Sequence, residues 1–362
     1  MEIIAYASIF YLAVRLIITV INLCSASILR VQQGNHDKEV AVLIPARNEE
    51  KNIGQLLDDL TASDYPHLSI FVYDDESTDK TAEIIKSKAE QDQRIEYLKG
   101  ERPGTGWLGK NYACHRLSQE ARGYYYLFID ADVRVGKTLI SSAVSRMEED
   151  KTALLSIFPV QLMFSLGEWL SVPLVNRILV GNLPLVLVRR SHIPGFSAAN
   201  GQFMMFNADI YRRYRFHDLF RAEKVEDIRI IRFMKNQRLP VETLLSDGQV
   251  KCRMYRGFGD SMNGFAKNVH AFFGRNWFVL FIYIFLSTAG PFASWQVFGE
   301  TGLIICLAGL ILFSTLVTLQ SKQKVFLNIF LMPLQQVTLL MIAMLALFRY
   351  TTGTLKWKGR KI

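Results

Sequence analysis

The residues from Ile3 to Leu29 and nearly all those from Phe272 to Phe348 are far more apolar than the segment between them. That asymmetry restricts the chain to a central polar-edged domain with membrane-seeking ends. Ile3 to Leu29 exceeds the about 20 apolar residues that a bilayer crossing needs, and Arg15 is its one charged interruption. A cleaved signal peptide would use the small residues Ser25-Ala26-Ser27, but Glu2 and no basic residue precedes the run, so residues 1–30 read as an uncleaved anchor. Three more apolar runs cover about 277–298, 303–319 and 325–348, separated by Gly299-Glu300-Thr301 and Ser321-Lys322-Gln323-Lys324. Together they read as transmembrane helices or a hairpin over 276–350, ahead of a basic tail at 351–362. Three full crossings would put that tail on the far side from the central domain, against the positive-inside tendency. One run is therefore expected to be re-entrant or flat, and Pro291 and Pro333 mark the two candidates.

The formal charge of +9 fits nucleic acid, an anionic membrane face or phosphate-bearing substrates. Arg30, Lys267, Arg275, Lys322, Lys324, Lys356, Lys358, Arg360 and Lys361 lie beside apolar segments, which favours the membrane over nucleic acid. The four cysteines, Cys24, Cys114, Cys252 and Cys306, form no C-x-x-C pair, so neither a zinc site nor a disulfide framework is indicated, and a reducing cytoplasm suits them.

Between the ends, strand-length apolar runs alternate with helix-like stretches. Val40 to Ile44, Ser69 to Tyr73, Ile95 to Leu98, Tyr125 to Ile129 and Leu154 to Phe158 read as strands; Asn52 to Leu60, Thr81 to Glu90, Asn111 to Ala121 and Leu139 to Glu149 read as helices. The result is a doubly wound α/β sheet, in which ligands bind beyond the carboxyl ends of the strands. The polar motifs fall at those ends.

The first strand runs into Pro45-Ala46-Arg47-Asn48-Glu49-Glu50 and the second into Asp74-Asp75-Glu76-Ser77-Thr78-Asp79. Both place donors and acceptors where a nucleoside could lie, and both also read as plain helix caps built on Asn48 and Thr78. The fourth strand ends in Asp130-Ala131-Asp132. Two carboxylates flanking one small residue suit Mg2+ or Mn2+ completed by diphosphate oxygens and water. Gly104-Thr105-Gly106-Trp107-Leu108-Gly109-Lys110 matches G-x-G-x-x-G and nearly matches a phosphate-binding loop. A membrane-tethered P-loop-like or dinucleotide-binding protein is thus the alternative of another class. Asn111 replaces the hydroxyl residue that such a loop needs, and the segment follows two strands that already carry polar motifs. Lys110 remains a point charge for a diphosphate. Glu226-Asp227 opens a helix-like stretch, either as first-turn acids on the helix dipole or with Asp227 as general base to an acceptor hydroxyl and Glu226 beside it. Phe258 to Arg275 reads as a basic amphipathic interfacial helix or linker.

In this order, Pro45-Ala46-Arg47-Asn48-Glu49, Asp74-Asp75 through Asp79, Lys110, Asp130-Ala131-Asp132 and Glu226-Asp227 resemble the inverting family 2 glycosyltransferases of the GT-A fold. The resemblance covers about Val40 to Tyr255 and implies a GT-A domain over 38–257. It implies that Pro45, Ala46, Arg47, Glu49, Asp74 and Asp75 contact a UDP-sugar, that Lys110, Asp130 and Asp132 hold its diphosphate and metal, and that Asp227 is the base. Gly106 to Lys110, Arg253-Met254-Tyr255 and Trp357-Lys358-Gly359-Arg360 further resemble bacterial membrane glycosyltransferases of carotenoid and hopanoid pathways. Arg253-Met254-Tyr255 stands where processive synthases carry Q-x-x-R-W, which implies transfer of a single sugar and adds Arg253 to the donor contacts. Carotenoids, apocarotenoids, hopanoids, glycerolipids and polyprenyl phosphates are the implied lipid acceptors, with the catalytic domain on the cytoplasmic side of a multi-pass membrane protein.

Overall fold

The computed structural model describes residues 1–25, 27–32 and 37–352, and the backbone of 356–357 and 360–361. Ala26 of the Ser25-Ala26-Ser27 triplet, and Lys358 and Gly359 of the terminal motif, lie outside the described residues. The chain divides into two compact units: residues 27–160 with 185–252, and residues 1–26 with 161–184 and 253–362. Segment 161–184, within the expected 38–257 domain, falls in the second of these units.

The first unit is built on strands β1 (Val40–Ala46), β2 (Leu68–Asp74), β3 (Ile95–Lys99), β4 (Tyr125–Ile129), β5 (Val133–Val135), β6 (Leu154–Phe158), β7 (Val160–Gln161, where the chain leaves the unit), β8 (Phe203–Asn207), β9 (Val241–Leu245) and β10 (Val250–Cys252). Seven of them form one sheet in the order β3-β2-β1-β4-β8-β6-β9. β1 pairs in parallel with β2 and β4, in register Ala46 to Asp74 and Leu43 to Phe128. The carboxyl ends of all three strands therefore share one edge. Residues 40–44 of β1 are wholly buried, as a strand covered on both faces requires. β8 runs antiparallel between β4 and β6, so its amino end at Phe203 lies opposite Ile129. That reversal brings Asn200-Gly201-Gln202 to the edge where the strand-end motifs emerge.

In the second unit, three helices are long and apolar enough to cross a membrane: Glu2–Cys24, Trp277–Gln320 and Met332–Thr352. The second, 44 residues long, breaks at Gly299 (φ 64°, ψ −153°), a conformation open to glycine. Each half is close to the about 20 residues that a crossing takes. The Glu2–Cys24 helix lies against both halves: a Cβ on Gly290 would sit 3.2 Å from Ser8 Cβ, and one on Gly309 2.9 Å from Leu12. Small residues permit this close helix approach. Pro291 lies inside a helix, whereas Pro333 falls in the first turn of Met332–Thr352.

Arg15, the flaw in the anchor, is 2% exposed. Its guanidinium stands 4.0 Å from the Phe313 ring centroid and 5.3 Å from that of Tyr283, and it donates to the Tyr283 hydroxyl at 3.3 Å. The charge is thus enclosed by protein groups, as an arginine in a helix that crosses a membrane would need to be. Helix Phe258–Phe272 is amphipathic, but Met262, Phe265, Ala266 and Val269 on its apolar face are buried in a protein cluster with Leu339, Ile342 and Ala343.

Candidate active site

The loops after β1 and β2 interlock instead of merely capping helices. Asn48, in left-handed conformation at φ 53°, donates its N–H to Ser77 Oγ at 2.9 Å and accepts the Thr78 N–H at 2.8 Å. The Glu49 N–H reaches Thr81 Oγ1 at 2.8 Å. Helices Ile53–Thr61 and Thr81–Gln91 begin without a side-chain cap bond, so the capping explanation of Asn48 and Thr78 is not realised. Arg47 donates to the Asp75 carbonyl at 2.6 Å and stands 3.4 Å from its carboxylate, which fixes a guanidinium and a buried acid at the strand ends. The Asp74 carboxylate is engaged within the turn, by the Ser77 N–H at 3.1 Å and the Tyr97 hydroxyl at 3.3 Å. Pro45 and Ala46 complete β1, and Glu49 holds the Asn52 amide at 2.6 Å.

Lys110 lies at the start of helix Gly109–Glu120. Its ammonium is 2.6 Å from Asp130 Oδ1, 2.9 Å from Asp130 Oδ2 and 3.6 Å from Glu226 Oε1, with 39% of the side chain exposed. Asn111 is fully buried, and its amide donates to the carbonyls of Phe220, Arg221 and Glu223 at 3.0, 3.2 and 3.0 Å. It staples the lysine-bearing helix to the loop that leads into Glu226. The residue that spoils a phosphate-binding loop therefore has this other task, and Gly104 to Lys110 follows β3 instead of opening the fold.

Asp227 accepts the Gly201 N–H at 3.0 Å on one oxygen and the Ile228 N–H at 2.8 Å on the other. Removal from water and the neighbouring Glu226 hold its carboxyl well above the usual carboxylate range, to about 7, against the smaller opposing pull of those N–H groups and Lys110. Space at Gly201 is tight: an added Cβ would lie 3.3 Å from Lys110 Nζ, 3.5 Å from Glu226 Oε1 and 3.7 Å from Asp227 Oδ2. Lys110, Asp130, Glu226 and Asp227 thus gather around Gly201, which the sequence reading did not single out. A polar Asn-Gly-Gln triplet just before the apolar run Phe203 to Phe206 was the available signal.

Asp132 lies beside the Cys252 thiol, which accepts the Gln202 amide at 2.7 Å. Burial, then Asp132 and Asp130, push that thiol far up and keep it neutral. Among the described residues no group of three or more His, Cys, Asp or Glu side chains is set to hold a metal. The donors present are two hard carboxylates, which match a cation that takes one or two protein ligands and fills its shell with phosphate and water. Arg253 lies in the unit of the apolar helices, ion-paired at 2.8 Å with Glu168.

A mixed α/β sheet with polar loops at its carboxyl edge and an acid pair opening a later helix defines the GT-A class. Residues 41–215 match the sequence profile of glycosyl transferase family 2. The 4,4'-diaponeurosporenoate glycosyltransferase of Staphylococcus haemolyticus is 28% identical over 241 residues, 66% of this chain and 63% of that protein. The protein of the same name in Staphylococcus aureus (strain USA300) is 26% identical over 65% of this chain and 61% of its own length. The chain thus spans less than two thirds of the length of these relatives. The mannosyltransferase PcManGT from Pyrobaculum calidifontis, solved in complex with GDP-Man and Mn2+, shares the fold with a TM-score of 0.58 at 18% identity, covering 96% of this chain and 99% of that one.

Proposed function

We propose that the protein is a membrane glycosyltransferase that moves one sugar from a UDP-hexose to a hydroxyl of a lipid of the carotenoid class, with inversion. The observation that carries this reading is the convergence of Lys110, Asp130, Glu226 and Asp227 at the strand-end edge of a GT-A sheet. Arg47 and Asp75 offer a guanidinium and a carboxylate to the nucleoside, and Lys110 offers a charge to the diphosphate. Asp130 and Asp132 would hold Mg2+ or Mn2+, which when bound neutralises charge on the departing nucleoside diphosphate. The names of the relatives and the contents of the mannosyltransferase structure support the lipid class and the metal.

In the transfer itself the acceptor oxygen forms its bond to the anomeric carbon as the bond to the diphosphate oxygen breaks. The hydroxyl proton passes to Asp227. A carboxyl titrating near neutrality suits a general base, whose contribution is about 10²- to 10⁴-fold. The catalytic unit faces the cytoplasm, a side supported by the unpaired thiols and the basic residues flanking the apolar helices.

The test is to incubate membranes carrying the protein with a panel of radiolabelled UDP-sugars and identify the labelled lipid by mass spectrometry. A glycoside that survives mild alkali supports a hydroxyl acceptor. A base-labile glycosyl ester would show a carboxylate acceptor, which has no proton for Asp227 to take. No labelled lipid with any donor would refute the reading.

A further inference from the structure

Lys235 is 1% exposed and lies in the last turn of helix Glu226–Asn236, the helix whose first turn carries Glu226 and Asp227. Its ammonium donates to the carbonyl of Leu187 at 3.1 Å and to that of Phe196. Among the described residues no carboxylate acts on it. Taking an ammonium out of water and returning only neutral carbonyls is costly, so stability alone favours an apolar side chain at this position.

Both carbonyls belong to one strap, and all the groups that hold it lie within the first unit. From helix Val186–Arg190 the chain runs without helix or strand to β8 at Phe203, and side chains of other elements fasten it at successive points. Arg189 pairs with Asp150 and, at 3.7 Å, with Glu242. Lys235 then closes the loop from Leu187 to Phe196. Thr243 of β9 donates to the Ala198 carbonyl, and Ser156 of β6 accepts the Asn200 N–H at 2.8 Å. The next residue is Gly201, whose N–H reaches Asp227 at 3.0 Å. Helix Glu226–Asn236 therefore grips the strap twice, with Lys235 at one end and Asp227 at the other. Its own rigid length sets the spacing between the two holds.

We propose that Lys235 is a positioning residue that, by closing the Leu187–Phe196 loop, holds the Gly201 N–H on Asp227 and so aims that carboxylate at the acceptor hydroxyl. With one oxygen on Gly201 and the other on Ile228, the carboxylate is fixed in direction. Released from Gly201, it is free to turn, and it also binds its proton more tightly, because an N–H donor favours the charged form. The charged groups beside Asp227 are Glu226 and Lys110; neither is part of the clamp. This inference rests on the reading of Asp227 as the base of a sugar transfer.

The experiment compares full-length wild type, Lys235→Met, Asp227→Asn and the double variant in detergent, with Lys235→Gln as a second variant that keeps a donor. Hydrogen exchange over residues 191–202 reads the clamp whether or not sugar is transferred. Single-turnover transfer from radiolabelled UDP-glucose to a hydroxylated carotenoid, its pH profile and calorimetry of UDP-glucose with Mn2+ read the consequence. Lys235→Met is expected to quicken exchange about tenfold or more and to slow transfer about tenfold, with donor affinity within about twofold of the parent. The rise of transfer with pH should move up by about half a pH unit or more. In the Asp227→Asn background the loss should shrink to within about twofold, the sign of a residue acting through another. Unchanged exchange, a loss that persists in full without Asp227, or a melting temperature that falls while transfer and its pH profile stay put would each overturn the proposal. So would failure of both Lys235 variants to fold, which would make the lysine a residue of the fold alone. Wild type that binds UDP-glucose and Mn2+ without transferring sugar, with exchange still quickened by Lys235→Met, would sink the transferase reading and leave the clamp standing.

Discussion

Gly201→Ala puts a methyl group where Lys110, Glu226 and Asp227 meet. The new Cβ would lie 3.3 Å from Lys110 Nζ, while the two carboxylates, at 3.5 and 3.7 Å, stay at ordinary contact distance. Only the ammonium is forced to yield, by a few tenths of an ångström, and it must do so while held 2.6 Å from Asp130. Gly201 is not among the residues with positive φ, so alanine fits the backbone without strain and the N–H to Asp227 survives. A misplacement of about 1 Å at a reacting centre costs about 100-fold, so the smaller shift is expected to cost about 5- to 30-fold in kcat/KM. Gly201→Val, with methyls projecting further, should cost about 100-fold or more. Melting temperature should fall by no more than about 4 °C in the alanine variant, equivalent to about 1 kcal/mol. The assay is radiolabelled sugar transfer by purified protein across donor concentrations, with thermal melts in the same detergent. Turnover within twofold of the parent in Gly201→Val, with the fold intact, would refute the claim that transfer depends on this cluster.

Asp132→Asn should abolish metal-dependent turnover while membrane insertion is retained, and unchanged turnover would remove the metal from the scheme. Because Asp227 must be ionised to take a proton and its pKa is pushed up to about 7, kcat/KM should climb as pH rises through about 7 and level off above it. A flat profile across that range contradicts the base assignment. Arg15→Ala should lower the melting temperature by the loss of a buried side chain that fills the space beside Phe313, on the order of 2–4 kcal/mol, and an unchanged melt would show that its packing carries no stability.

The periodicities made most of the catalytic fold legible. Five strands and four helices fall where the alternation of apolar runs put them, because parallel strands covered on both faces are written as short continuous apolar stretches. β8 escaped because Phe203 to Asn207 is followed at once by helix Ala208–Tyr214, leaving no turn signal between strand and helix. With it went Gly201, whose importance comes from a strand reversal that no local pattern encodes. Lys110, Asp130, Glu226 and Asp227 were legible because charged residues at strand and helix ends stand out against apolar neighbours. Their mutual distances were not, since three separate loops set them. Lys235 escaped notice because within Phe233-Met234-Lys235-Asn236 it reads as an ordinary basic residue in a last helical turn, and only its long-range partners Leu187 and Phe196 reveal more. The apolar runs located the helices long enough to cross a membrane, and the break at Gly299 falls in the Gly299-Glu300-Thr301 separator read between the first two of the later runs.

Asp227→Asn tests the central claim most directly, with calorimetry of UDP-sugar and Mn2+ run beside single-turnover transfer to the lipid. Donor affinity within about twofold of the parent, with transfer slowed about 100-fold or more, is the result expected of a base that meets the acceptor. Transfer at the parent rate, or a donor affinity that collapses in step with it, would contradict the account.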